Sequence, residues 1–179
     1  MAWQKILDFW FSELEPEQWW IKDGQLDRDI ESRFGHFHKA AVTGELSDWR
    51  NQPAGRLAEI IILDQFSRNI YRDRSESFAW DGMALVLAQE ALRAEADQTF
   101  EAPEKAFFYM PFMHSESVAI HNIAIKLFDQ PGAEFNLVFE EQHKAIIDRF
   151  GRYPHRNAVL GRVSSPEELA FLKEDNSSF

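Results

Sequence analysis

The chain has 179 residues, a formal net charge of −11 and no cysteine, with 16 Phe, 6 Trp and 3 Tyr. That length suits one domain whose core stands without crosslink or metal, and the aromatic content excludes a disordered polyelectrolyte. Lack of cysteine rules out a disulfide framework, a thiolate zinc site, an iron–sulfur cluster and a cysteine nucleophile. The acidic balance disfavours nucleic acid and anionic membranes as partners.

Trp3, Ile6, Leu7, Trp10 and Phe11 recur at helical spacing and predict an opening amphipathic helix. This apolar start is short and carries Lys5 and Asp8, so it reads as neither an export signal nor a span, and no apolar run approaches the ~20 residues a membrane helix needs. A cytoplasmic location is the expectation. Pro16 suits the first position of a short second helix bearing Trp19 and Trp20, closed at Asp23-Gly24. Leu26, Ile30, Phe34, Phe37 and Ala41 mark a third helix stopped at Gly44. Pro53 opens a strong helix through Ile70, whose Ile60-Ile61-Ile62-Leu63 run continues helical spacing on both sides.

Phe78, Leu85 and Leu92 share one face of a helix starting near Ser75 or Ser77. Pro103 begins another, which Pro111 is expected to kink or end because it lacks an N–H and clashes one turn back. Ser115 is placed to cap a helix with Ile120, Ile123, Ala124 and Leu127 on its stripe. A last long helix carries Phe139, Ile146, Ile147 and Phe150 up to Gly151, a left-handed cap. Ser165-Pro166-Glu167-Glu168 reads as a capping box. No segment alternates with period two and no linker divides the chain, so the expected fold is a single all-α domain over residues 1–173, with residues 174–179 as a frayed tail. Spacing alone leaves a bundle and a stacked helix-pair array equally open.

Polar residues gather in three stretches where a helical core is expected. In the first, Asp64, Arg68 and Arg72 stand four apart, either an exposed ion-pair ladder or an arginine aligned to receive an anion. In the second, a helix end at Pro111 and a start at Ser115 bracket His114 and Glu116. His114 and His121 stand seven apart and lack a carboxylate at ligand spacing, so no metal site is assigned. The third runs from His143 to Arg162. His143 falls on the apolar stripe, and Lys144, Arg149, Arg152, Arg156 and Arg162 face the single acid Asp148. Such a local basic excess on an acidic chain points to a small anionic group.

These stretches, LDQFSRNIYR at 63–72, YMPFMHSE at 109–116 and RFGRYPHRNAVLGR at 149–162, with ILDFWF and the Trp19-Trp20 pair, resemble an uncharacterised, mainly bacterial family catalogued as domain of unknown function 924. Ser67 and His121 depart from the family pattern, which has Pro and Gln there. The resemblance implies antiparallel helix pairs stacked in a TPR-like array and no established activity. Asp64, Gln65, Arg68, Asn69, His114, Glu116, Arg152, His155, Arg156 and Asn157 occupy its motif positions.

Two functional expectations follow. One is a pocket for a small anionic ligand (a phosphate, a carboxylate or an acidic peptide end). Arg68, Arg152 and Arg156 would be its forked donors, and Asn69 and Asn157 would orient the ligand. In an enzyme, His155 or His143 would act as acid or base, with Glu116 or Asp64 setting the tautomer. No nucleotide, metal or nucleophile-elbow motif is present, so no cofactor is assigned. The other is a non-enzymatic TPR-like module for proteins or peptides, with Trp3, Trp10, Trp19 and Trp20 as exposed anchors or as core.

Overall fold

From Leu57 to Ser67 every residue is buried, so the helix that Pro53 opens is covered on all sides rather than on one stripe, as a central element must be. It carries Glu59, Asp64, Gln65 and Ser67 inward with its apolar residues. The computed structural model describes residues 1–175 and 177, and among these there is no β-strand. The central helix α3, Pro53–Ile61, runs without a break through a π-helical turn, Ile62–Phe66, into the short α4, Ser67–Ile70. Around it lie α1, Gln4–Asp8, with its own π-helical extension Phe9–Glu13, and α2, Gly24–Val42. The remaining helices are α5, Asp81–Arg93, α6, Glu104–Met113, α7, Val118–Phe128, α8, Leu137–Phe150, and α9, Pro166–Phe171.

Each of α5, α6 and α7 packs on the helix that follows it, the adjacency expected of stacked helix pairs. α3 additionally touches α1, α5 and α6, which centres the core on it. Trp10 is 1% exposed within that core, whereas Trp20 is 53% exposed, so the tryptophans divide between packing and surface. No described helix is long and apolar enough to cross a membrane.

Several local expectations need correction. Asp23 does not close the second helix. Its carboxylate accepts from the N–H groups of Gln25 and Leu26 and so caps the start of α2. The buried stripe of α5 is Ala84, Ala88 and Ala91, with Leu85 and Leu92 only partly covered, since small residues let α5 approach α3 and α6 closely. α6 passes through Pro111 to Met113, held by neighbours that bury every residue from Ala106 to Met113. α7 therefore starts later than expected, with Ser117 rather than Ser115 as its flanking residue.

Other expectations hold as read. Gly151 ends α8 at φ 67°, and Ser165 with Glu168 forms the reciprocal capping box of α9. In the expected frayed tail, residues 176, 178 and 179 lie outside the described residues. Glu174 N–H donates to the Phe171 carbonyl, and the buried Ser177 donates to that of Leu172.

A short 3-10 turn, Ser47–Asn51, is clamped on α3 by two contacts. Arg50 forks onto buried Glu59 at 2.7 Å through both guanidinium arms, and the Trp49 backbone lies against Gly55. A Cβ on Gly55 would stand 2.1 Å from the Trp49 carbonyl oxygen, a backbone atom unable to yield without moving the turn. Gly55→Ala should therefore destabilise the protein by about 1–3 kcal/mol, overpacking outweighing the gain in helix propensity. Urea unfolding monitored by circular dichroism checks this, and an unchanged midpoint would refute the close approach.

Candidate functional site

The π-helical turn places Asp64 and Gln65 at the end of the central helix, where both side chains are buried. Irregular turns of this kind re-aim side chains at functional positions. Asp64 Oδ1 accepts from His114 Nδ1 at 2.7 Å, and its Oδ2 accepts from Gln65 Nε2 at 2.6 Å. Arg68 is 3.3 Å from the Asp64 carboxylate and uses its guanidinium mainly elsewhere, forking onto Asp81 at 3.0 and 3.1 Å. Arg156 reaches the same carboxylate from the C-terminal region at 3.1 Å. Its guanidinium lies 4.5 Å from the ring centres of both Phe78 and Tyr153, a cation held between two aromatic faces.

Three carbonyls at the end of α6 each receive a side-chain donor. Met113 accepts from the Tyr153 hydroxyl at 2.5 Å, His114 from Arg156 at 3.1 Å, and Ser115 from His121 Nε2 at 2.8 Å. A helix end leaves such carbonyls unsatisfied, so these bonds fix the segment carrying His114. Beside it opens a cleft of about 310 Å³, whose walls include Phe78, Asp81, Gly82, His114, Glu116 and Arg156.

Around the cleft the chain is pinned by further ion pairs. Glu116 accepts a fork from Arg162 at 2.6 and 2.9 Å and the Tyr153 N–H at 2.7 Å. Asn157 accepts from Arg162 Nε and donates to Ser164, which closes the loop on itself. Arg152 forks onto Glu168 at 2.6 and 2.8 Å and so anchors α9. His121 Nδ1 meets Glu140 at 2.7 Å with both side chains 0% exposed, tying α7 to α8.

The basic excess read between residues 144 and 162 is therefore cancelled. Lys144 pairs with Asp148, Arg149 with Glu167, Arg152 with Glu168, Arg156 with Asp81 and Arg162 with Glu116. Four of those five acids lie outside the stretch, which is why a local count misses them.

Of the expected site residues, His114, Glu116 and Arg156 line the cleft, and Asp64 and Arg68 join them through His114 and Asp81. Gln65 supports Asp64 from behind. Asn69 does not join them. It donates to Asp27 on α2, the same carboxylate that takes Arg72 away from the expected ladder. Arg152 and Asn157 hold the C-terminal segment instead of lining the cleft. Neither His155 nor His143 is among the cleft-lining residues, and the tautomer-setting Asp64 meets His114. His143 Nδ1 is bound to the Phe139 carbonyl one turn back, and His155 stacks near Tyr153. Sequence reading missed Asp81 altogether and gave Tyr153 no role. An acid at the start of a helix looks like ordinary dipole complementation.

The departures at Ser67 and His121 are both buried. Ser67 bonds His38 Nε2 at 2.9 Å and the Leu63 carbonyl at 2.6 Å. Among the described residues no group of three or more His, Cys, Asp or Glu side chains is arranged to hold a metal.

Residues 6–176 match the family model described as "Bacterial protein of unknown function (DUF924)". The chain belongs to this family. A DUF924 assignment fits the solved structure of a protein of unknown function, ATU0120 from Agrobacterium tumefaciens. That protein is 37% identical, with a TM-score of 0.91 over 96% of this chain and 97% of its own. No curated protein matches.

Burial governs protonation in this DUF924 protein. It pushes His38 and His155 down to about 4 and His143 to about 3, and with the Arg68 charge it lowers His114 against the opposing pull of Asp64. Burial alone would raise the Asp64 carboxyl, but the charges of His114 and Arg68 and its hydrogen bonds outweigh it and hold the carboxylate below its usual range. The unfolded chain takes up histidine protons near pH 6.5 that the folded state refuses until about pH 4 or 3, so stability must fall as pH drops through that window. The unfolding free energy from urea melts should decline below pH 6.5 by up to about 1.4 kcal/mol per pH unit for each such histidine. A level profile from pH 7 to 4.5 would show that these histidines are not held neutral.

Proposed function

We propose that this protein binds a small ligand carrying an oxyanion, a carboxylate or phosphate, in the cleft between α5, the end of α6 and the turn at residues 154–156. The observation that carries this reading is the donor capacity of Arg156. A guanidinium has five N–H groups, and Arg156 engages Asp81 with one and the His114 carbonyl with another. Its Nε–H is fully buried and has no acceptor among the described residues, so the donors left for a ligand are the second N–H groups of Nη1 and Nη2. A buried cation wedged between two rings, with donors left over, suits an incoming anion even though Asp81 already balances part of its charge. Arg68, Arg156 and Arg162 are balanced by Asp64, Asp81 and Glu116, so the ligand is a small anion rather than a polyanion.

A second reading, docking of another protein, is favoured by the start of α8. Phe135 is 77%, Val138 57% and Phe139 43% exposed there, and the two rings lie 5.8 Å apart.

Gly82 offers a clean test of the cleft. It lines the wall, and a Cβ added there meets nothing within 4 Å. Gly82→Leu should fold normally yet fill the space. A binding carboxylate or phosphate at a hundredfold its Kd should stabilise the wild type by about 2.7 kcal/mol, a rise in Tm of about 5–10 °C. Thermal unfolding across a panel of such anions should show that rise in the wild type and its loss in Gly82→Leu. A rise that persists in the filled variant, or no rise with any anion, counts against the cleft.

A further inference from the structure

His114 caps the end of α6 with its side chain 15% exposed, and it lines the cleft. Its Nδ1 faces Asp64, which is 1% exposed and held from the other side by Gln65. A carboxylate in that position accepts, so Nδ1 carries the hydrogen and Nε2 is left with a lone pair. Among the described residues nothing bonds Nε2. The Arg156 guanidinium is bound to the backbone carbonyl of His114 itself, and both residues line the cleft.

We propose that His114 Nε2 is the acceptor that selects the ligand of this cleft, with Asp64 as its positioning residue. The ligand is an oxyanion bearing a hydroxyl near its charged end, a small hydroxycarboxylate or a phosphorylated alcohol. The oxyanion takes the second N–H groups of Arg156 Nη1 and Nη2, and the hydroxyl donates to Nε2. This inference rests on the cleft being an anion site and adds to it the requirement for a donor group.

The electrostatic surroundings support an unprotonated ring. Arg68 and Arg156 face His114 with positive charge, Asp64 and Asp81 with negative charge, and Glu116 stands on the cleft wall. His143 and His155 are the further titratable groups near it. Burial and Arg68 together outweigh Asp64, which keeps the imidazole neutral to lower pH than a free histidine.

Two measurements test this. Long-range 1H–15N NMR of the wild type at pH 8 should show the His114 proton on Nδ1 and a bare Nε2. A proton on Nε2, or on both nitrogens, overturns the proposal without any variant. Calorimetry should then show glycolate binding about five- to tenfold more tightly than acetate, or glycerol phosphate more tightly than propyl phosphate by the same factor. Which pair responds distinguishes carboxylate from phosphate. The preference should fall to about one in His114→Asn, and should vanish in the wild type once acid protonates Nε2. Equal binding of both members of a pair removes the role of His114 while leaving the anion site standing. Failure of all four anions to bind removes the anion site and this inference together.

Discussion

Asp81 receives two guanidinium groups, one from just before it in the chain and one from the C-terminal region, and the arrangement of the cleft follows from that shared counter-ion. Arg68 arrives from α4 and Arg156 from the C-terminal turn, both within 3.1 Å of its oxygens. Burying one arginine is costly, and burying two beside each other is untenable without a carboxylate between them. Asp81 is the first residue of α5, so meeting this demand fixes α5 against α4 and the 154–156 turn against both. The rings of Phe78 and Tyr153 then close over the two faces of Arg156. The site is thus a junction of three segments before it is a pocket. A carboxylate lost at position 81 would leave like charges facing each other, which explains why polar residues occupy what would otherwise be core.

The helices were largely legible because their cause is local. Apolar spacing, Pro at a first turn, Gly151 at a left-handed cap and the Ser165–Glu168 box act within a few residues, and each appears where the chain places it. The errors arose where tertiary packing overrode a local rule. Pro111 fails to end α6 because neighbours bury every residue around it, and the donors of Tyr153, Arg156 and His121 cap the carbonyls beyond it. α5 turns an alanine stripe inward because the space between helices admits methyl groups and not leucines.

The site was legible in part, for a related reason. Residue types that do not belong in an apolar core, such as Asp64, Arg68, His114 and Arg156, stand out in sequence wherever the fold brings them together. Their partners do not stand out. Asp27, Asp81, Glu140 and Glu168 lie on exposed-looking helix turns, and only the folded chain reveals that each neutralises a cation or holds a histidine. The apparent basic island was therefore a sampling effect of counting along the chain instead of through space.

On the proposed reading, neutralisation does not make the cleft inert. An exposed arginine offers its charge to any anion but holds none in a defined orientation, whereas a guanidinium fixed by Asp81, a backbone carbonyl and two rings presents its remaining donors in one direction. The same logic applies to His114, whose ring is fixed by Asp64 and whose second nitrogen is left over. Shared fold with ATU0120 carries no chemistry across, since a fold hosts many activities. What the proposed reading adds to a structural salt-bridge network is that the ordering contacts of Arg156 and His114 consume only part of their hydrogen-bonding capacity, at a cleft that both residues line.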